Sequence, residues 1–472
     1  MILIDGALTL GPQGFSEAAV AIQANLITAV VHSPDDRADL RSHASEIIDA
    51  PDMWLIPGLI DAHAHGYATL LRGTENAMPL ELWALHTVLY GRAYDARAIR
   101  AAVLLGAAER IRAGITGWID HSPMVALAEP ALTAHETSGL RVGYAAFLHD
   151  LSDYDLMHLN LPAELAAIAG GPPPLDANAY AHRFAELVAH AGSGRVRVLL
   201  GPNAPQRCSP QAWALWRQLR DRHGVPIHTH LMETRAQSIV GTRFQGGLIA
   251  EMQRQSLLDG RISVAHGIWL SPAERDILAR HDVVIAHNPA SNLMLGSGTM
   301  PYAESLAAGL TLALGTDSAN TGGRHDLFEA MRLAMMLPRQ PSTPHTAWPR
   351  GRAVLDMATR NGAAVLGYAG ELGVIAPGCL ADLVLIRRRT AATLAMHADE
   401  NALVQHASPD AVAAVMVDGQ WLLRDGCILA FDEAAALLDA QAAMSEIHER
   451  VAHRIPEINA AVPPIAAILA AR

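Results

Sequence analysis

The sequence predicts an α/β fold: a (β/α)8 TIM barrel with a small β-sandwich domain formed by the N- and C-terminal segments. From residue 53 to residue 315, short apolar runs alternate with alanine-rich stretches of helical periodicity. Strand–helix alternation repeated eight times is typical of such a barrel. Strand-like segments occur before this region and return after it, near residue 381, so we expect the two ends of the chain to pair.

Each barrel strand is predicted from a short apolar run, often bounded by glycine. The predicted strands cover residues 53–60, 114–120, 141–148, 195–201, 225–231, 262–266, 283–287 and 311–315. Helices are predicted between them, for example at 95–113, 176–191, 210–223 and 271–279, and a last one at 351–366.

The predicted domain organisation has four segments. They are the N-terminal half of the β-sandwich (1–55), the (β/α)8 barrel (56–375), the C-terminal half of the β-sandwich (376–430) and a C-terminal helical extension (431–472). In the extension, residues 432–450 have the pattern of an amphipathic helix, and Pro463-Pro464 is expected to interrupt the remaining residues.

Composition excludes several classes of partner. The net charge of −12 provides no basic surface for nucleic acid or for anionic membranes. No apolar run is long enough for a membrane span, and the N-terminus has the pattern of a first strand rather than a signal peptide. Three widely spaced cysteines suit a reducing cytoplasm. We therefore expect a cytoplasmic protein with a small-molecule substrate.

The chain contains no lysine, and all 35 of its basic residues are arginine. A phosphate-binding P-loop lysine and a Schiff-base lysine are therefore excluded. So is a carbamylated lysine that bridges two metal ions.

Histidine or a carboxylate follows several predicted strands at their C-terminal ends, where barrels of this class place their active sites. His63 and His65 end the first strand, and His230, His266 and Asp317 end later ones. Imidazoles together with a carboxylate suit Zn(II) or Fe(II) with a position left open for water. Such a metal makes hydroxide available at neutral pH, so the pattern predicts a hydrolase.

Six short motifs recur at or near the ends of the predicted strands. They are Pro57-Gly58-Leu-Ile-Asp61-Ala-His63-Ala-His65, Gly114-Ile-Thr116, His230-Leu-Met-Glu233-Thr234, Ala265-His266-Gly267, His287-Asn-Pro-Ala-Ser291-Asn292 and Gly315-Thr-Asp317-Ser318. In these motifs the chain resembles the amidohydrolase superfamily, and they occur in the family's order over nearly the whole chain. The similar branch contains cytosine-deaminase-like and triazine-hydrolase-like enzymes, among them adenosylhomocysteine, methylthioadenosine and guanine deaminases.

The resemblance implies four ligands for one divalent metal, Zn(II) or alternatively Fe(II): His63, His65, His230 and Asp317. It also implies that His266 contacts the attacking water and that Asp317 accepts its proton. Glu233 would protonate a ring nitrogen of the substrate. The absence of lysine agrees with a mononuclear branch. The resemblance further implies a homo-oligomer, either a dimer or a tetramer.

Other candidate positions concern the substrate and the surroundings of the metal. The expected substrate-binding residues are Arg72, Trp83, Asn203 and Gln206. For His228, a hydrogen bond to a metal ligand is favoured over ligation of the metal itself. His121 either lines the pocket floor or caps its strand. His86, His149 and His287 are interpreted as structural or neighbouring residues.

The sequence departs from the nucleoside-deaminase pattern at two places. Residues 88–92 contain no acid to bind ribose hydroxyls and end in Arg92, and Asn203 stands where a histidine is usual after Gly201-Pro202. We therefore expect a free N-heterocycle, or a triazine-, pyrimidine- or urea-like compound, rather than adenosylhomocysteine or methylthioadenosine.

The predicted function is that of a metal-dependent aminohydrolase, a deaminase that attacks the C–N carbon of an N-heterocycle. The alternative is a hydrolase with the same site that expels alkylamine, chloride or thiolate, or cleaves an amide or urea bond. A metal-free scaffold relative is the remote alternative, disfavoured because every ligand is present.

Overall fold

The computed structural model describes residues 1–75, 77–172, 174–191 and 194–470. Its strands are β1 (Ile2–Gly11), β2 (Gly14–Gln23), β3 (Leu26–Val31), β4 (Glu46–Asp49), β5 (Met53–Pro57), β6 (Leu59–Ala64), β7 (Ile115–Ser122), β8 (Arg141–Leu148), β9 (Val196–Pro202), β10 (Ile227–Leu231), β11 (Ile262–His266), β12 (Val284–His287), β13 (Thr311–Leu314), β14 (Leu383–Arg387), β15 (Val412–Val417), β16 (Gln420–Arg424) and β17 (Cys427–Ile428).

The α-helices surround the strands and form the C-terminal extension. They are α1 (Pro34–His43), α2 (Leu80–Gly91), α3 (Ala96–Arg112), α4 (Ala128–Ser138), α5 (Asp153–Leu156), α6 (Ala163–Ala169), α7 (Ala177–Ala191), α8 (Pro210–His223), α9 (Arg235–Gly241), α10 (Leu248–Arg254), α11 (Pro272–Arg280), α12 (Pro289–Met294), α13 (Tyr302–Ala307), α14 (Leu327–Met336), α15 (Gly351–Ala358), α16 (Arg360–Val365), α17 (Glu400–His406), α18 (Glu433–Val451) and α19 (Ile455–Ala470).

Eight parallel strands, β6 to β13, form the barrel, and each pairs with the next along the chain. A parallel bridge between Ala64 and Asp317 links the first strand to the end of the last. Small and aliphatic side chains such as Ala62, Ala145 and Ala286 fill the interior, together with the segment 363–372. The predicted (β/α)8 barrel is confirmed.

The terminal segments pair with each other in a nine-stranded sheet. Its order is β17-β16-β15-β14-β5-β1-β2-β3, with β4 on β1. The N- and C-terminal halves meet where β5 runs antiparallel to β14, with Leu55 opposite Leu385. Ile4, Val20 and Met416 belong to the apolar core of this sheet. The predicted pairing of the two chain ends is therefore confirmed.

The first predicted strand, residues 53–60, is in fact divided between the two sheets. Met53–Pro57 is β5 of the terminal sheet, and the barrel strand begins at Leu59. Gly58 lies between them, at a position where a Cβ would lie 2.0 Å from Oγ1 of Thr116, so a larger residue does not fit. The apolar run continues through the boundary, so hydrophobic periodicity alone places no break there.

Two predicted helices also differ from the structure. The helix expected at 351–366 is divided into α15 and α16 at Thr359, whose ψ of −94° is not helical. Pro463 and Pro464 do not interrupt the C-terminal region, because both lie inside α19. That helix packs its buried Ile458 and Ile465 against Leu82 and Leu85 of α2, and this packing is present on both sides of the proline pair.

None of the helices in the described ranges is both long enough and apolar enough to cross a lipid bilayer. Cys208, Cys379 and Cys427 are free thiols.

A buried ion pair joins the barrel to the terminal sheet. Arg141, at the start of β8, donates to both carboxylate oxygens of Asp382, at 2.8 and 3.0 Å, and to Asp418 at 2.8 Å. The side chains of Arg141 and Asp382 are 4% and 2% exposed. Because removal of one partner leaves a buried charge uncompensated, the pair constrains how the two sheets pack.

We expect Arg141→Met to destabilise the protein by about 3 kcal/mol, since it leaves Asp382 buried and unpaired. The matched control is Arg389→Met, which removes an exposed ion pair with Asp52 and should cost less than about 1 kcal/mol. Denaturant unfolding followed by circular dichroism measures both. Equal stabilities for the two variants would contradict the role given to Arg141.

Candidate active site

Five polar side chains meet at the C-terminal end of the barrel because the strands that carry them end there. His63 lies on β6, and His65 follows that strand directly. His230 and His266 lie at the ends of β10 and β11. Asp317 follows β13 and is held beside β6 by its amide, which donates to the carbonyl of His63 at 2.9 Å.

The inward ring nitrogens of these histidines lie close to Asp317. Nε2 of His65 and Nε2 of His63 are 3.3 and 3.6 Å from Oδ1 of Asp317. Nε2 of His230 is 3.3 Å from Nε2 of His65. Nε2 of His266 lies 3.8 Å from Oδ2 of Asp317. The nitrogens therefore converge on the carboxylate from several sides.

The opposite ring nitrogen of each histidine has its own hydrogen-bond partner. The pairs are His63 Nδ1 with His228 Nε2 (2.8 Å), His65 Nδ1 with the carbonyl of His121 (2.5 Å), His230 Nδ1 with the carbonyl of Asn203 (2.6 Å) and His266 Nδ1 with Oδ1 of Asn292 (2.9 Å). Such partners fix ring orientation and direct Nε2 inward, as in metal-binding histidines generally.

The site has the donor set and the unpaired atoms that a metal ion requires. Nε2 of His63 and Nε2 of His266 are buried and have no hydrogen-bond partner in the described ranges. Burial lowers the pKa of His63 to about 4, and burial together with the neighbouring histidines lowers the pKa of His230 well below its usual range. Neutral imidazole is the form that binds a metal. The residues therefore fit a divalent ion.

Asp317 and His266 both adopt left-handed backbone conformations, with φ of 62° and 76°. Non-glycine residues rarely adopt this conformation, and it persists only where the surroundings enforce it. Ser291 donates to Oδ2 of Asp317 at 2.6 Å, and the amide of Ser318 donates to Oδ1 at 2.7 Å. These bonds fix the carboxylate beside the histidines.

Glu233 lies three residues after His230 and reaches the same centre. Its Oε2 is 3.8 Å from Nε2 of His266, and Nε2 of Gln237 is 3.5 Å from the same oxygen. Burial is the main cause that raises the pKa of Glu233, while the charge of His266 opposes the shift and that of Asp317 adds to it. A carboxyl group with a raised pKa is suited to donate a proton near neutral pH.

Three other histidines considered in the sequence lie around this centre. His228 connects His63 to Ser263, whose Oγ is 2.8 Å from its Nδ1. His121 lies below the ligands, with Nε2 3.2 Å from the carbonyl of Gly201. His149 lines the substrate cavity, and burial lowers its pKa to about 4.

His65, His230, His266 and Asp317 form one wall of a cavity of about 330 Å³. One face of α2 forms the opposite wall, with residues spaced by three or four positions. The residues of this wall are Leu80, Trp83, Ala84, Thr87, Val88, Gly91 and Arg92. The volume is in the range of small-molecule sites.

Only two of the four predicted substrate-binding residues lie at this cavity. Trp83 and Asn203 line it. Arg72 does not: it forms an ion pair with Glu109 and borders another surface hollow. Gln206 is buried, with neither of its amide atoms hydrogen-bonded in the region that the structure describes, and it does not line the cavity either.

Several residues at the site had no predicted role. Ser291 and Asn292 belong to the motif after β12, and that motif was the available signal for their bonds to Asp317 and His266. Arg207 lines the cavity, where it pairs with Asp153 and donates to Oδ1 of Asn203 at 2.7 Å. No sequence pattern singled out Arg207.

Comparison with known proteins gives consistent relatives and solved structures. The chain is 33% identical to a 5'-deoxyadenosine deaminase of Methanothermobacter thermautotrophicus over 450 residues, 94% of this chain and 98% of the relative. It is 32% identical to a 5-methylthioadenosine/S-adenosylhomocysteine deaminase of Thermococcus kodakarensis over 410 residues, 86% of this chain and 89% of the relative.

Two solved structures have the same fold. An adenosine deaminase from Xanthomonas campestris with bound zinc matches with a TM-score of 0.84 and 25% identity, over 95% of this chain and 98% of that one. An atrazine chlorohydrolase from Arthrobacter aurescens complexed with zinc matches with a TM-score of 0.83 and 23% identity, over 94% and 100%. The model of the amidohydrolase family matches residues 54–422. The chain therefore belongs to the amidohydrolase family.

Proposed function

We propose that this protein is a mononuclear metal-dependent aminohydrolase that removes an amino group from an N-heterocycle as ammonia. The observation that carries the proposal is a set of four histidines whose Nδ1 atoms are hydrogen-bonded. The Nε2 atoms of His63, His65 and His266 lie 3.3 to 3.8 Å from Asp317, and Nε2 of His230 lies 3.3 Å from Nε2 of His65. The deaminase names of relatives with at least 30% identity support the reaction type.

The proposed ligands of the metal are His63, His65, His230 and Asp317. Zn(II) is the first choice, supported by the zinc bound in the Xanthomonas campestris adenosine deaminase, and Fe(II) is compatible with the same donors. When bound, such an ion lowers the pKa of a water molecule to about 7.

Three side chains are proposed to handle protons. Asp317 accepts the proton of the attacking water, and His266, 3.8 Å from Oδ2 of Asp317, holds that water by a hydrogen bond. Glu233 donates a proton to the ring nitrogen next to the amino-bearing carbon, which makes that carbon electrophilic. The raised pKa of Glu233 leaves more of its protonated form available than an ordinary glutamate would have.

The proposed substrate is a free N-heterocycle or a triazine-, pyrimidine- or urea-like compound. Trp83 is proposed to pack against its ring, and Asn203 to hydrogen-bond to it. No carboxylate of α2 lines the cavity in the described residues, so nothing in that helix replaces a ribose-binding acid.

We also propose that the protein is a cytoplasmic homo-oligomer, a dimer or a tetramer. The location is supported by three free thiols and no sequence pattern of a disulfide framework. Size-exclusion chromatography with light scattering tests the oligomeric state.

A panel of aminopurines, aminopyrimidines, aminotriazines and phenylureas, with 5'-deoxyadenosine added as the substrate named for a relative, tests the reaction. We expect at least one amino-heterocycle to release ammonia, detected by a coupled dehydrogenase assay, and the zinc-free protein to release none. Release of alkylamine or halide without ammonia from any amino-heterocycle would show that the deaminase assignment is wrong.

Glu233→Gln should retain the metal and lose about 10²- to 10⁴-fold in kcat, the usual contribution of a positioned acid. The amide keeps the shape and removes the proton that the proposal assigns to Glu233. Metal content by mass spectrometry and steady-state kinetics measure the two effects. Loss of the metal in this variant would contradict the role given to Glu233.

His230→Ala should lower the bound metal from about one equivalent, as expected for a mononuclear site, to a small fraction of it. The control is His345→Ala, at an exposed histidine far along the chain from any proposed ligand. Both proteins are loaded with Zn(II), desalted and analysed for metal. Full metal content in His230→Ala would exclude His230 as a ligand.

A further inference from the structure

A single arginine at the end of α2 has no partner for its charge. Arg92 forms the C-cap of this helix and lines the cavity with Val88 and Ala84, which precede it by four and eight residues. Within the described ranges, its guanidinium makes no ion pair or side-chain hydrogen bond. The other arginine at the cavity, Arg207, is already neutralised by Asp153.

The Arg92 side chain is exposed and lies beside Gly170, where a Cβ would be 2.7 Å from Nη2 of Arg92. Gly170 has a φ of 65°, which favours glycine. The charge of Arg92 is therefore paired with no acid among the described residues and is open to a ligand.

Two acids and two arginines line the cavity: Glu233 and Asp317 at the proposed metal site, and Arg92 and Arg207. Burial lowers the pKa of His149, which also lines it, to about 4. Glu81 and Asp153 border an adjoining hollow together with Arg92, but both have other partners. Glu81 accepts a hydrogen bond from Thr234 at 2.8 Å, and Asp153 pairs with Arg207.

One polar side chain of the same cavity is left with a free donor. Asn203 accepts a hydrogen bond from Arg207 at its Oδ1, at 2.7 Å. Its amide nitrogen makes no side-chain hydrogen bond among the described residues, so it can donate to an acceptor oxygen of a ligand.

We infer that Arg92 binds an anionic substituent, a carboxylate or a phosphate, on the amino-heterocycle that the metal centre deaminates. The inference rests on the proposed function, because it identifies the substrate class of the same site. The planar guanidinium forms two parallel hydrogen bonds to either group, and such charge-assisted pairs are stronger than neutral hydrogen bonds.

Matched pairs of compounds test the inference on the zinc-loaded enzyme. The carboxylate arm compares pterin with pterin-6-carboxylate, and the phosphate arm compares (4-amino-2-methylpyrimidin-5-yl)methanol with its phosphate ester. We expect the acidic member to have at least about tenfold higher kcat/KM in one arm, the size of a charge-assisted hydrogen bond. The arm that shows the preference identifies the anion.

The variant Arg92→Met should abolish this preference. The kcat/KM of the acidic member should fall at least about tenfold, with the loss mainly in KM, while the neutral member changes less than about twofold. Arg92→Lys should restore some of the preference. The charge-matched control is Arg222→Met, at an exposed arginine of α8 that has no ion pair in the described ranges and should leave both members unchanged.

Equal kcat/KM for acidic and neutral members in both arms would overturn the inference, and so would equal losses in Arg92→Met and Arg222→Met. If none of the four compounds releases ammonia, calorimetric titration of the zinc-loaded enzyme distinguishes the two proposals. If an acidic member binds more tightly than its neutral partner and Arg92→Met removes that difference, the anion site is supported. Ammonia release from the wider panel of compounds then decides whether the deaminase assignment is rejected. Absence of any difference in affinity rejects the anion site.

Discussion

The closure of the barrel between its first and last strands is the constraint on which the site depends. The carboxylate of Asp61, buried inside the protein, accepts hydrogen bonds from the amide and hydroxyl of Thr316 at 2.9 and 2.6 Å. Arg110, whose Nε lies 3.6 Å from the same carboxylate, balances its charge. One residue further, the amide of Asp317 bonds to the carbonyl of His63. Without this closure, the histidines of β6 and the only carboxylate among the proposed ligands would lie on opposite edges of an open sheet.

Fixed ring orientations are what suit these histidines to the role of ligands proposed for them. A buried imidazole with both nitrogens free would rotate or bond to its neighbours. In His65, His230 and His266, Nδ1 instead forms a hydrogen bond to an acceptor outside the centre. Two of those acceptors are backbone carbonyls, which substitution of side chains does not remove. The arrangement of the proposed ligands is therefore a property of the strand ends themselves, whereas α2 and the loops line the rest of the cavity.

The sequence predicts the barrel and the convergent side chains because several apolar runs end in a histidine or a carboxylate, and parallel strands share one rim. It does not predict where an apolar run passes from one sheet to another, as it does at Gly58, where an added Cβ would meet Thr116. Nor does it predict the direction of side chains beyond the strand ends. Arg72 follows a short 3-10 turn and pairs with Glu109, and Gln206 lies within another such turn and is turned away from the cavity. These outcomes depend on packing between distant segments, which periodicity does not encode.

The interior of the barrel has a consequence for the movement of molecules. The segment 363–372 and small side chains from the strands fill the space below the metal-facing histidines, so the barrel is a packed core rather than a channel. The heterocycle, water and ammonia would then share the opening at the C-terminal rim, beside α2. A product that keeps an anionic group would meet Arg92 on its way out, and the contact that selects the substrate would also slow the departure of the product. A stronger contact with Arg92 would then raise selectivity for the acidic substrate and lower kcat through slower product release, independently of the chemistry at the metal.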